Sequence, residues 1–352
     1  MAVGVPGPKK EISAERKFWL VLSDPCGLVC VIVTYFVVFF VDYMTVRNVL
    51  IPTYFASHTV VPYRYRWGML HAGLFQCCIF MICWSHLKCM LSNPGTLPRI
   101  WPSQLLEKVK EISEIRKLQD KEYKEVGHYT KRPVRVPWCR KCDNYKPLHT
   151  HHCSTCETCV ENMDHHCPWM NNCVGKENHK FFMLFLLYVG LGSGYSIVMT
   201  GIRLYTCYAS KKIGDRETLA LYQCSSTVGS LSLIGYIVSI IFSFLFCLFV
   251  TCMCWEQLEE IADATTMIEK KQGFEAQRRG LLKGLEEVFQ EKRSYRWFLP
   301  LKKNQAKHYF PELSQIFKVW GVLPTVMTTG IFFVWLYWCD IIIRILCVLW
   351  NK

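Results

Sequence analysis

Charge is missing from four long stretches of this 352-residue chain: residues 27–41, 67–85, 181–202 and 228–255 hold no Asp, Glu, Lys or Arg. The surface helices of a soluble domain carry polar residues on every turn, so this absence excludes an ordinary soluble architecture. Three of the stretches match the roughly 18–20 apolar residues that cross a hydrocarbon core, and the first does so by borrowing a flank at 19–22 or 43–46. No short apolar core with a small-residue cleavage site stands at the start, so the first span is expected to serve as its own insertion signal. Neither an internal repeat nor a long low-complexity tract is evident. Acidic residues are also few, 28 against 41 basic ones, for a net charge of +13.

That positive excess is unevenly placed. Lys9, Lys10, Arg16 and Lys17 precede the first span; residues 92–180 and 256–318 are rich in Lys and Arg; the loops after spans one and three hold few. Basic loops stay on the cytosolic side, which puts the N-terminus, the segment between spans two and three and the region after span four in the cytosol. The charge would then meet anionic headgroups or an anionic ligand. Nucleic acid is the rival partner for a basic chain, and four spans argue against it.

The expected fold is an α-helical polytopic membrane protein with four transmembrane helices. A fifth apolar stretch near the C-terminus, 319–350, is interrupted by Pro324 and carries Asp340 and Arg344, so it reads as a span, a re-entrant segment or an interfacial helix. The boundaries read as 1–26 cytosolic, 27–91 spans one and two, 92–138 cytosolic linker, 139–180 cysteine-rich domain, 181–255 spans three and four, 256–318 cytosolic, and 319–352 the last apolar segment. Within the linker, residues 101–125 have helical periodicity. After span four, Leu281, Leu282, Leu285, Val288 and Phe289 share one face of an amphipathic helix.

Of twenty cysteines, seven lie between Cys139 and Cys173. On a cytosolic face such a concentration points to metal or catalysis rather than disulfides. Cys207 and Cys224 flank the lumenal loop and are candidates for a disulfide there. The cluster runs Cys139-x2-Cys142, nine residues, His152-Cys153-x2-Cys156-x2-Cys159, four residues, Asp164-His165-His166-Cys167, five more, then Cys173. Tetrahedral zinc takes four N or S ligands, and Cys-x-x-Cys turns supply them in pairs. Two closed sites need eight. Seven cysteines and one histidine would leave nothing for chemistry. Six cysteines and two histidines would leave one cysteine and one histidine free within Asp-His-His-Cys, where Cys, His and Asp form a recognisable activated nucleophile. Spacing alone leaves both partitions open.

The full pattern, continued to Asn178 and Phe182, resembles the cysteine-rich domain of the DHHC protein S-acyltransferases, or palmitoyltransferases. The resemblance implies that Cys167 accepts the acyl group, that His165 is its base and that Asp164 orients His165. It implies one structural zinc on Cys139, Cys142, His152 and Cys159, and a second on Cys153, Cys156, His166 and Cys173. The implied reaction moves a long-chain acyl group from palmitoyl-CoA, or another acyl-CoA, to Cys167. From there it passes to a membrane-proximal cytosolic cysteine of a substrate protein at the bilayer surface. The family also suggests endomembrane residence, Golgi or endoplasmic reticulum. The rival is a non-catalytic membrane-anchored zinc module that recruits partner proteins.

Two flanking motifs depart from the family pattern. Ser92–Gly95 reads SNPG, with Asn93 where the family's Asp-Pro-Gly turn has Asp. Residues 264–269 read ATTMIE, one residue longer than Thr-Thr-x-Glu, so either Thr265 and Thr266 or Thr266 and Glu269 are in register. Arg140, Lys141, Lys176 and Lys180 are candidates to favour the thiolate, because a zinc held by three thiolates and one imidazole is formally −1. Phe181, Phe182, Phe185 and Tyr188 are candidate walls for the acyl chain. Gly190, Gly192 and Gly194 are expected to serve close helix packing ahead of a lengthened acyl pocket. His149 and His151 are expected to be solvated.

Overall fold

The computed structural model describes residues 24–55, 62–97, 138–147, 149–216, 219, 224, 230–273 and 278–301. The basic N-terminus, the helix expected at 101–125 and the apolar stretch at 319–350 lie outside the described residues.

Four helices among the described residues are long and apolar enough to cross a membrane. The first, α1 (Pro25–Thr45), starts on Pro25, whose missing N–H costs nothing at a helix N-terminus. It runs on as a π-helical segment, Val46–Phe55, so the short charge-free block gains its length from the C-terminal flank. Then come α2 (Pro62–Leu91), α3 (His179–Ile213) and α4 (Ser230–Asp263). Helix α3 is central, packed along both α2 and α4. Outward-facing Phe36, Leu74, Phe80, Val198, Phe244 and Leu248 are all more than half exposed, a continuous apolar coat that only lipid tails would cover.

Between α2 and α3 lie three two-stranded antiparallel hairpins: β1 (Trp138–Cys139) with β2 (Asn144–Tyr145), β3 (Thr150–Cys153) with β4 (Thr158–Glu161), and β5 (His165–Cys167) with β6 (Asn172–Val174). Strands this short bury almost nothing, so a segment built from them needs an outside staple.

The hairpins correct one expectation, because the chain does contain an internal repeat. Cys139, Cys153 and Cys167 stand 14 residues apart. Each begins a turn whose fifth residue, Asp143, Glu157 or Asn171, has a left-handed backbone. Each pairs with the residue after that one, in the registers Cys139↔Asn144, Cys153↔Thr158 and Cys167↔Asn172. The period escapes notice in the sequence because a strand–turn–strand unit this small shares only its ligand positions, and the third copy has Met170 where the others have a cysteine.

After α4 come a single-turn helix α5 (Met267–Lys271) and the amphipathic α6 (Leu281–Phe289). Helix α6 crosses α4 at Gly284, where a Cβ would fall 2.3 Å from the Ile261 carbonyl oxygen. Leu281 and Leu282, expected on the packed face, are exposed.

Candidate active site and metal centres

Two ligand clusters form, each closed within 4.8 Å: Cys139, Cys142, His152 and Cys159, and then Cys153, Cys156, His166 and Cys173. In the first, the Nδ1 of His152 lies 3.1 Å from Cys142 Sγ, 3.7 Å from Cys139 Sγ and 4.0 Å from Cys159 Sγ. In the second, His166 Nδ1 lies 3.6, 3.4 and 3.7 Å from the sulfurs of Cys153, Cys156 and Cys173. A tetrahedron with Zn–S ~2.3 Å and Zn–N ~2.0–2.1 Å has edges of roughly 3.5–3.8 Å, so both donor sets fit zinc. The other ring nitrogen of His166 meets Asp24 Oδ2 at 3.3 Å, the carboxylate–imidazole arrangement that fixes a metal-bound ring. Asp24 precedes α1, so this bond docks the first span onto the second cluster. Nothing in the local sequence around Asp24 announces it.

The repeat explains which sulfur is left over. Each turn offers two ligands from its ends, and the stem of the following hairpin supplies the other two. Cys139 and Cys142 of the first turn join His152 and Cys159, which face each other across β3–β4. Cys153 and Cys156 of the second turn join His166 and Cys173 across β5–β6. Cys167 begins the third turn, but its companion position is Met170, and helix α3 takes over at His179 where another hairpin stem would be required. Cys167 therefore sits in a ligand's position with no metal cluster around it among the described residues.

The residues beside Cys167 are arranged for proton transfer. His165 Nδ1 donates to Asp164 Oδ2 at 2.7 Å, since a carboxylate can only accept, and Cys167 interacts with the same imidazole. Asp164 is 1% exposed. It accepts two further bonds, from Gln257 Nε2 of α4 at 2.9 Å and from the Met267 backbone N–H of α5 at 2.8 Å. Burial alone would raise the Asp164 carboxyl, yet these donors and the His165 and His179 rings hold it well below the usual carboxylate range. Burial likewise disfavours charge on His165, but Asp164 and the Cys167 sulfur outweigh it and push its pKa up to about 9. The Phe182 ring stands edge-on to His165 with centroids 5.4 Å apart.

Between the four spans lies an apolar cavity of about 50 Å³. Its walls include Thr34, Val37 and Val41 of α1, Ile82 of α2, and Phe185 and Gly192 of α3. The arrangement places a free thiol and an oriented imidazole beside two four-ligand clusters, on a helix bundle with an apolar cavity among its spans.

A family model described as DHHC palmitoyltransferase matches residues 135–273. Among curated proteins, the chain is 30% identical over 289 residues to palmitoyltransferase ZDHHC3-A of Danio rerio, covering 81% of this chain and 79% of that one. It is 29% identical over 292 residues to palmitoyltransferase ZDHHC7 of Mus musculus, covering 82% and 83%. The chain belongs to the DHHC palmitoyltransferase family. It is an integral, multi-pass protein S-acyltransferase. A plant relative, probable protein S-acyltransferase 13 of Arabidopsis thaliana, matches at 28% identity over 253 residues.

The two departures from the family pattern are absorbed by backbone geometry. At SNPG, Asn93 Oδ1 accepts from the backbone N–H groups of Gly95 and Thr96, both at 2.8 Å. An amide oxygen makes this turn as a carboxylate would. The turn lays residues 94–97 along β4, with Glu161 N donating to Gly95 O and Leu97 N to Cys159 O. At ATTMIE, Thr266 caps α5 and Glu269 reaches back to Thr266 N, a full capping box. Thr266 and Glu269 are therefore the residues in register, and the insertion lies before them. Met267 in place of the second threonine leaves the contact with Asp164 intact, because only its backbone N–H is used.

Other residues reach the palmitoyltransferase site unannounced by the sequence. Gln257 is fully buried and bridges Asp164, Glu260 and His179. Asn172 caps the end of α2 by donating to the carbonyls of Cys89, Met90 and Ser92. Gln257 stands among Glu256, Glu259 and Glu260 at a charged helix end, so nothing in the sequence singled it out. His149 is not simply solvated: its Nδ1 lies 2.5 Å from Glu269 Oε1. The proposed electrostatic lysines are engaged elsewhere, Lys176 with Glu161 at 2.6 Å and Lys180 with the Arg296 carbonyl at 3.0 Å. Of the candidate walls, Phe185 lines the cavity, Phe182 packs on His165, Phe181 is buried and Tyr188 donates to the Phe298 carbonyl. Gly192 lines the cavity and also lies close against Ile82 of α2, so both roles weighed for these glycines meet there.

Proposed function

We propose that Cys167 is the acyl-carrying nucleophile of this S-acyltransferase. The observation that carries the reading is the hydrogen-bonded pair of His165 and Asp164 beside a cysteine that neither metal cluster uses. An ordinary thiol, pKa ~8.5, is only a few per cent ionised at neutral pH. His165 takes its proton, and Asp164, held by Gln257 and Met267, keeps the Nδ1 tautomer and leaves the other ring nitrogen for sulfur. The thiolate attacks the thioester carbon of palmitoyl-CoA, the C–S bond to CoA breaks, and the protonated imidazole supplies the proton that the CoA sulfur leaves with. A cysteine of a substrate protein then displaces Cys167 the same way. Each step exchanges one thioester for another, so catalysis consists of forming thiolate and holding the reactants together.

The eight clustered ligands would hold two structural zinc ions, which would stiffen hairpins too small to form a core. The acyl chain would occupy the cavity among the spans. Substrates would present membrane-proximal cytosolic cysteines, and endomembrane residence in the Golgi or endoplasmic reticulum is the compartment this family suggests. The cytosolic placement of the site has support from chemistry as well as charge. Cys207 and Cys224 form a disulfide. Cys207 lies about 42 Å along α3 from His179, against a hydrocarbon core of about 30 Å. Free clustered thiols at one end and an oxidised pair at the other match a reducing and an oxidising side of one membrane. The chain would divide into a cytosolic N-terminus (1–26), spans one and two (27–91), a cytosolic linker (92–138), the cysteine-rich domain (139–180), spans three and four (181–255), a cytosolic region (256–318) and a last apolar segment (319–352).

Incubating the purified protein with labelled palmitoyl-CoA should give a hydroxylamine-labile adduct on the Cys167 peptide. An adduct absent from that peptide refutes the reading. The cavity makes a second prediction. A Cβ on Gly192 would already lie 3.3 Å from Ile82 Cδ1. Gly192→Phe should therefore displace about two methylenes of a sixteen-carbon chain, ~1.6 kcal/mol, and shift preference roughly tenfold toward fourteen carbons. Competition between the two acyl-CoAs, read as the ratio of adducts, checks it.

A further inference from the structure

Cys26 and Cys30 have no part in either metal cluster or in the chemistry above, and both are free thiols. They stand one helical turn apart on α1, so they share a face. Continuing along that face in steps of three and four come Thr34, Val37, Val38 and Val41, all of which line the acyl cavity. The two thiols thus lie on the same face of α1 as those lining residues, nearer the helix start and outside the cavity. There the start of α1 is tied to the active-site turn. Asp24 bonds His166, a Cβ on Gly27 would fall 2.3 Å from Asn171 Oδ1, and α1 packs on the turn Pro168–Met170 that follows Cys167. The Cys30 sulfur lies within electrostatic range of Cys26, Asp24 and Cys167. Cys30 is partly accessible and Cys26 exposed, whereas Cys89, which also interacts with Cys167, is fully buried.

We propose that Cys30, with Cys26 as its neighbour, is an intramolecular acceptor of the acyl group carried by Cys167, so that the enzyme acylates its own first span. The inference rests on the assignment of Cys167 as carrier. The Cys30 sulfur attacks the thioester carbon at Cys167; a C–S bond forms at Cys30 and the one at Cys167 breaks. The proton leaving the Cys30 thiol passes through His165 to the departing Cys167 sulfur. One thioester replaces another, and no oxidant, reductant or further reactant is required. Because the start of α1 packs on the turn that follows Cys167, the two sulfurs are brought together within one chain, and this favours transfer by proximity.

The test uses the full-length protein in nanodiscs, incubated with labelled palmitoyl-CoA over several minutes. Hydroxylamine-labile label is mapped by mass spectrometry on the peptides carrying Cys26, Cys30 and Cys167. The wild type should gain label at Cys30 or Cys26 after it appears at Cys167. Cys167→Ser should lower label at Cys26 and Cys30 at least tenfold. The double variant Cys26→Ser/Cys30→Ser should load Cys167 within about twofold of wild type. Label confined to Cys167 throughout overturns the inference and leaves the carrier assignment standing. Undiminished label at Cys30 in Cys167→Ser, with Cys167 labelled in the wild type, shows direct acylation by acyl-CoA and also overturns it. No label at Cys167 in any protein overturns the carrier assignment as well.

Discussion

Cys167→Ser is expected to abolish the hydroxylamine-labile adduct and keep about two zinc ions per chain, whereas Cys173→Ala loses zinc and folding together. The contrast follows from the repeat. Both cysteines are buried in the same hairpin, β5–β6, with closely similar exposure. Sulfur chemistry alone would not separate them. Their positions do: Cys173 stands opposite His166 in a stem and shares a cluster with Cys153 and Cys156, at 3.4 Å from the latter sulfur. Removing it leaves three ligands for a metal that needs four, in a segment whose small apolar core is Cys153, Val160, Met163 and Cys173 itself. Serine at 167 removes a nucleophile from a turn that no metal cluster includes. Metal analysis and circular dichroism of the two variants beside wild type check this. Loss of zinc from Cys167→Ser would place that sulfur in a metal site and end the catalytic reading.

His165→Ala should slow loading of Cys167 by about 10²–10⁴-fold in a single turnover, the range that a positioned proton acceptor supplies. Asp164→Asn should approach the same loss by a different route. Asp164 accepts from three donors, His165 Nδ1, Gln257 Nε2 and Met267 N. An amide accepts through one oxygen only, so its NH2 must face either Met267 N or the pair His165 and Gln257, which share Oδ2, and the bonds on that side are lost. If His165 is on that side, the ring turns or changes tautomer, and the proton path to Cys167 is lost. Gln257→Ala removes one of the bonds that hold Asp164 and should produce a smaller loss in loading rate with zinc retained. Single-turnover rates with labelled acyl-CoA, measured beside zinc content, separate these cases. Loading of His165→Ala within twofold of wild type would remove His165 from the mechanism.

Much of this site was legible without coordinates because its logic is arithmetic. Charge-free stretches mark spans, and Cys-x-x-Cys pairs mark metal turns. Ligand counting narrowed the leftover group to a cysteine and a histidine within one tetrapeptide, although it did not choose between two partitions. The 14-residue repeat was equally present in the sequence and went unread, because Met170 and Asn171 mask the third copy. Residues acting through a single distant bond, such as Asp24 on His166 or Gln257 on Asp164, left no local pattern at all. Nor did the sequence reveal that Asn93 still closes its turn and Met267 still reaches Asp164, since that depends on whether a side chain or the backbone makes the contact.

By itself the sequence determined that this chain crosses a membrane and carries a metal-binding cluster with thiol chemistry, because apolar length and ligand spacing are local and additive. Only the tertiary structure gathered two four-ligand clusters that leave Cys167 out, and set Gln257 and Met267 against the Asp164 that holds His165. It also formed an apolar cavity among the spans and set two thiols of the first span on the helix face that lines it. Those facts depend on which hairpin stem closes over which turn and which helices converge there, and convergence is not written in any one segment.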